Sequence, residues 1–252
     1  MIKRHILIVA LCLSASCLSL SCNAPHDNPL DPESKYFNGS KYSLEDFAGC
    51  VRSLHTSRSF PTTDVYSVIV EGSMSQDVEM DSVWVIYRNR TPVELERLDL
   101  GLWGTILSSA YFNTTDPQMI GVMGQPFVIS FAVTGDEIYT LEPLYLIRLI
   151  EETPRLISPA AYDTVGQQPL LKWETFSAPY EIRYQASVWR DEVGFEVETW
   201  SSDFLPDSVH EIETGETLVV GNYYWVLYVI DEFLNRSRSH EGEFVVREEA
   251  GS

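Results

Sequence analysis

The sequence predicts an all-β fold, two antiparallel β-sandwiches in tandem behind an export leader and a flexible tether. Three observations carry this. Short period-2 segments, rich in β-branched and aromatic residues, recur from Phe47 to the end of the chain. Gly, Pro, Asn and Asp clusters punctuate them at sandwich spacing. Nothing after the leader sustains a 3.6-residue apolar stripe over three turns.

The leader comes first. Lys3 and Arg4 precede an apolar core, Ile6 to Leu13, and small residues close the segment near Cys22. That is the layout of a secretory signal peptide over residues 1–21, and it falls short of the ~20 apolar residues a spanning helix needs. The segment resembles a bacterial lipoprotein signal. The resemblance implies acylation of Cys22, attachment to a membrane through that lipid, and residence in the bacterial envelope, at the outer membrane or cell surface. The family's box reads Leu, small, small, Cys, whereas Ser19, Leu20 and Ser21 precede Cys22, so Leu stands one place out of register. Cys17, after Ser14-Ala15-Ser16, is a competing site, and cleavage after Ala24 is a third option. Cys22 gives the longer apolar core and abuts the tether directly. Only Cys50 then remains as a thiol, and the fold stands on its core without disulfides.

Residues 22–47 carry Pro25, Pro29 and Pro32 among Asp, Asn, Ser and Gly, a linker composition. As a flexible coil some 20 residues span roughly 25 Å on average, enough to hold a body clear of a membrane surface. The Asn28-Pro29-Leu30-Asp31-Pro32 run resembles a turn-rich segment that follows the acylated Cys in some envelope lipoproteins.

Residues 48–151 read as one immunoglobulin-like sandwich. Val65 to Val70, Ser82 to Arg88 and Phe127 to Val133 alternate, and Leu144 to Ile150 is a further apolar run. Glu94, Glu96 and Asp99 read as the solvated face of a strand. Glu151-Glu152-Thr153-Pro154 marks the boundary, since Pro has no ladder donor.

Residues 152–252 form the second sandwich. Ile182, Tyr184, Ala186 and Val188 alternate with Arg183, Gln185, Ser187 and Trp189, and Tyr223 to Ile230 is apolar on both faces, as a central strand should be. The run PRLISPAAYDTV, PLLKWE, YEIRYQASVWRD, GETLVVGNYYWVLYVIDEFLNRSRS and GEFVV resembles a bacterial fibronectin type III module from Pro154 to Arg247. The resemblance implies that Trp173 fills the core and that Leu218, Gly221 and Tyr223 build a tyrosine corner, the hydroxyl bonding backbone a few residues upstream. Val220 stands where a Pro often precedes the Gly.

Acids outnumber Lys and Arg by 37 to 17. Such a surface repels phosphate backbones, so nucleic acid is a poor partner. His5, His26, His55, His210 and His240 include no i, i+4 pair, no CxxC occurs, and no loop alternates carboxylates as a hard cation requires. With no nucleophile elbow or phosphate loop either, the sequence points to no catalytic residue, metal or other cofactor. Trp189, Trp200, Tyr224 and Trp225 are the candidate binding aromatics. The expected protein is a lipid-anchored, non-enzymatic binding or scaffold module for an envelope protein; the alternative is a polysaccharide-binding or adhesive module that uses those rings.

Overall fold

The structure is a computed structural model that describes residues 42–58, 63–74, 80–114, 119–134, 137–192 and 195–248. The leader, Cys22, Cys17, Ala24 and the tether up to residue 41 lie outside the described residues.

In the first half the strands are β1 (Phe47–Arg58), β2 (Thr63–Met74), β3 (Met80–Tyr87), β4 (Val93–Glu94), β5 (Glu96–Asp99), β6 (Leu102–Ser108), β7 (Pro126–Val133), β8 (Glu137–Thr140) and β9 (Leu144–Tyr145), with a turn of α-helix, α1 (Ser109–Phe112), and 3-10 turns at Leu44–Asp46 and Ile120–Val122. β5, β6, β2 and β1 line up in one sheet; β4, β3, β7 and β8 form the other, with β9 on β7. Their facing side chains, Val68 and Val70 from β2, Val83 and Val85 from β3, and Phe127, Ile129 and Phe131 from β7, are wholly buried. Gly49 and Gly72 sit opposite each other in the β1–β2 register. A Cβ on Gly49 would stand 2.7 Å from Leu144 Cδ1, and one on Gly72 3.0 Å from Phe131 Cζ, so these two positions let the sheets close.

Two expectations change in detail. The PVELERLDL run is not one strand: the chain crosses between sheets at buried Leu95, from β4 on β3 to β5 on β6, and Glu94, Glu96 and Asp99 stay solvated. The apolar run Leu144 to Ile150 pairs over only two residues; its buried side chains, Leu146, Leu149 and Ile150, serve packing outside a ladder, and Ile150 joins the second core.

In the second half the strands are β10 (Leu156–Ser158), β11 (Asp163–Val165), β12 (Leu170–Trp173), β13 (Ile182–Glu192), β14 (Phe195–Ser201), β15 (Leu205–Pro206), β16 (Glu211–Glu213), β17 (Gly221–Asp231), β18 (Arg236–Arg238) and β19 (Gly242–Val246). β10, β12 and β16 make a three-stranded sheet. It covers the larger sheet built on β13 and β17, and Trp173, Tyr184, Trp225, Leu227 and Phe244 fill the space between.

The two halves share a sheet. β18 pairs antiparallel with β17 on one edge and parallel with β1 on the other, in the register Leu54↔Arg236, His55↔Ser237, Thr56↔Arg238. Among the described residues eleven strands therefore belong to a sheet that runs through both halves. An edge of the second sandwich that would otherwise present open backbone groups is closed by the long first strand of the other. Leu44–Ser252 form one compact unit.

Candidate functional site

The strand register decides which aromatics reach the surface. Tyr223 lies opposite Arg190, Tyr224 opposite Trp189, and Trp225 opposite Val188. Side chains alternate between faces, so Trp225 goes inward with Val188 while Tyr224 and Trp189 go outward. Trp225 is 0% exposed, and its indole N–H donates to the Pro159 carbonyl at 2.7 Å. It is not a binding aromatic. Trp200 lies opposite Val188 across the β13–β14 pair and packs half-buried on the second core, so it too leaves the group.

What remains is a pair. Trp189 and Tyr224 stack with rings 4° from parallel and centroids 6.3 Å apart, both half-buried. The Tyr224 hydroxyl donates to Glu196 Oε2 at 2.8 Å. Burial first, and then that carboxylate, push the phenol far above its ordinary range, so it stays a donor at every physiological pH. Glu196 and Glu198 flank the pair along β14, which makes this an aromatic surface with an acidic border.

The residues of the expected corner occupy structural places. Trp173 is 1% exposed and packs edge-on to Tyr184 and near Trp225. Leu218 is buried, Gly221 opens β17, and the buried Tyr223 donates its hydroxyl proton to the Val219 carbonyl at 2.8 Å. A ring that enters the core thereby keeps its polar tip satisfied.

Sequence reasoning missed the joint between the halves, where the buried groups are polar. Ser53, His55 and Ser57 on β1, and Asp231, Asn235, Ser237 and Ser239 around β18, are all buried. Asp231 Oδ1 accepts from the backbone N–H of Phe233 and of Asn235, both at 2.9 Å, and its Oδ2 accepts from Asn235 Nδ2 at 2.9 Å. Held in this way, Asn235 Oδ1 accepts the Ser53 N–H at 2.8 Å, across the joint. Ser237 donates to the Glu152 carbonyl, Tyr66 to the Glu151 carbonyl, and Arg148 Nη1 bridges Asp231 and Glu232. Arg52 is ion-paired with Glu71, and burial raises the nearby Cys50 thiol, a half-buried free cysteine. Ser57 Oγ and His240 Nε2 are 2.8 Å apart, bonding β1 to the residues just after β18. His210 sits apart, against Thr175 and Tyr184. No group of three metal-ligating side chains occurs among the described residues.

His55 makes the joint sensitive to pH. Its ring stacks on Tyr66 at 4.0 Å, and Nδ1 lies 3.0 Å from the Ile150 carbonyl, which can only accept; Nδ1 therefore carries the proton. Nε2 faces Asp64 at 3.6 Å. Burial lowers the pKa below 6.5, and Asp64 offsets that only in part. The unfolded chain thus binds the proton first as pH falls. This stability is complete above about pH 6.5 and declines as pH drops toward the lower folded value. His55→Gln should flatten the slope of melting temperature against pH between about pH 7 and about pH 5. An unchanged slope in that window would remove His55 as its cause.

No family model matches the sequence, and no curated protein matches it. Among solved structures, the fibronectin(III)-like modules of Clostridium thermocellum CbhA align at 9% identity over 80% of this chain and 94% of theirs, with a TM-score of 0.29. The chicken CNTN1 FN1-FN3 domains align at 8% identity over 77% of this chain, with a TM-score of 0.32. This chain spans 65% of that chicken chain, just under two thirds. The class is that of an all-β chain of tandem sandwiches.

Proposed function

We propose that this is a lipid-anchored binding or scaffold protein of the bacterial envelope, without enzymatic activity, built from sandwiches over residues 48–151 and 152–252. The observation that carries the reading is the shared sheet with its buried polar joint. Such a joint makes a stiff body of two modules, which suits a part that holds surfaces at a fixed distance and orientation. The leader and Pro-rich tether support export and anchoring through Cys22. A polysaccharide-binding reading retains a specific surface, the Trp189–Tyr224 pair, but without Trp200 and Trp225 it has two rings where four were expected.

Metabolic labelling with a palmitate analogue tests the anchor. The wild type should carry label and Cys22→Ala should not. Unchanged labelling in the variant moves the site to Cys17, and an unlabelled wild type means a secreted, unanchored protein. Capture from envelope extract with the full chain tests the binding role. A partner lost on Tyr224→Ala would place the contact on the outer face, and empty capture would overturn the role.

A further inference from the structure

The turn between β3 and β4, and α1 with Asn113 and Thr114, border a cleft of about 980 Å³ in the first half, at the upper end of the range for small-molecule sites. Its lining runs against the character of the chain. Arg88 and Arg90 both line it, and no described carboxylate does, on a protein where acids outnumber Lys and Arg by 37 to 17. Elsewhere Arg52, Arg148, Arg190 and Arg238 are each met by a Glu or Asp, whereas Arg97, Arg155, Arg183, Arg236 and Arg247 make no ion pair among the described residues. Arg88 is exposed and its side chain makes no hydrogen bond or ion pair among the described residues. Arg90 donates from Nη2 to the Phe112 carbonyl at 2.9 Å, which fixes the guanidinium at the cleft wall.

The other liners are neutral and polar. Asn89, Thr91 and Asn113 offer amides and a hydroxyl, and half-buried Tyr111 is oriented by donating its hydroxyl to the Thr91 carbonyl at 3.2 Å. The apolar liners Phe112 and Val122 are 5% and 2% exposed and so offer no apolar anchor. Arg88 adopts left-handed backbone with φ of 54°, while Asn113, at φ 49°, does so as the ordinary cap that ends α1. A non-glycine residue held in that conformation outside a cap, as Arg88 is, is of the kind found at ligand sites.

We propose that this cleft binds an acidic saccharide, a chain of sugar units bearing carboxylates. A guanidinium fork matches a planar carboxylate, the amides and hydroxyl match sugar hydroxyls, and the Tyr111 ring can stack on a sugar face. An acidic peptide fits less well. It would need apolar pockets or an open strand edge, and beside the cleft the Tyr87 end of β3 is paired by β7 on one edge and closed on the other by the turn bond from the Arg90 N–H to the Tyr87 carbonyl. The acidic remainder of the surface is screened beyond about 8 Å at physiological salt, while the two guanidiniums act in contact. The site is separate from the Trp189–Tyr224 pair, whose Glu196 border would repel such a ligand.

Calorimetric titration of the full chain tests this with three probes: trigalacturonate, its methyl-esterified trimer, and triglutamate. Trigalacturonate should bind with Kd below about 1 mM, and both other probes about tenfold more weakly or worse. Arg88→Ala should weaken trigalacturonate by about tenfold with the melting temperature unchanged, because its side chain supports nothing in the fold; Arg88→Lys should lose part of that. Equal binding of the ester overturns the charge assignment, and equal or tighter binding of triglutamate overturns the saccharide. Wild-type affinity in Arg88→Ala overturns the site, as does the absence of any heat with trigalacturonate.

Discussion

Trp225→Ala should cost the second sandwich about 3–5 kcal/mol, the range for emptying a fully buried large aromatic site. Against a domain stability of about 5–15 kcal/mol, that is enough to unfold much of the protein near its working temperature. The side chain is enclosed by Trp173 and by Gly242, and its N–H is held by the Pro159 carbonyl. Trp225→Phe should cost less, about 1–3 kcal/mol, mainly for leaving that carbonyl unpaired. Gly242→Ala reaches the same spot from the other side. Its Cβ would stand 2.5 Å from Trp225 Nε1 and 2.8 Å from the Pro159 oxygen, so something must shift, at about 1–3 kcal/mol. The two lesions should not add. A phenyl ring withdraws the atom the new methyl strikes, so Trp225→Phe with Gly242→Ala should cost less than the sum of the two singles. Urea denaturation of the four proteins measures this, and strict additivity would refute the shared contact.

The inward turn of Trp225 is legible in the sequence. Once Tyr223 is assigned to the corner, a period of two sends Trp225 to the same face and Tyr224 to the other. What obscured it is that β17 is apolar on both sides: Val226 and Ile230, on the outward parity, are buried as fully as Leu227 and Val229. Hydropathy alone then carries no phase. Trp200 was harder to place, because its face depends on a register shift between Val188 and Trp189 that no local residue pattern announces. Trp173 and Tyr223 were easier, since their environments follow from strand order and corner chemistry within one module.

The joint was illegible for a different reason. Ser53, His55 and Ser57 alternate with Leu54 and Thr56, a pattern that reads as a strand with its polar side in water. In the folded chain that polar side is the buried one. Ser53 and Ser57 find their partners 182 and 183 positions away, in Asn235 and His240. Parallel pairing between such distant strands leaves no local signature. The cleft at Arg88 and Arg90 was hidden similarly. Arg88 reads as the end of the alternating run from Ser82, and only the fold brings α1 and Asn113 up beside it and Arg90.

Asp231→Ala should be the most damaging change at the joint, at about 3–5 kcal/mol, the loss expected when one member of a buried charged network is removed. The carboxylate is wholly buried and holds two backbone N–H groups, the Asn235 amide and the Arg148 guanidinium together. Without it, the N–H groups of Phe233 and Asn235 lose their acceptor, and Asn235 loses the contact that aims its carbonyl at Ser53. Asp231→Asn keeps one acceptor oxygen but turns an NH₂ toward the donors of Asn235 and Arg148, so it should fall between alanine and wild type. Asn235→Ala removes the bond across the joint while leaving the carboxylate its other partners, and should cost less than Asp231→Ala. Hydrogen exchange separates a joint effect from general destabilisation. In Asp231→Ala the amide of Ser53 should exchange faster by more than the global loss accounts for, while the amides of β13 follow global unfolding. A loss below about 1 kcal/mol, or equal acceleration at both places, would mean that this network is not what locks the two sandwiches together.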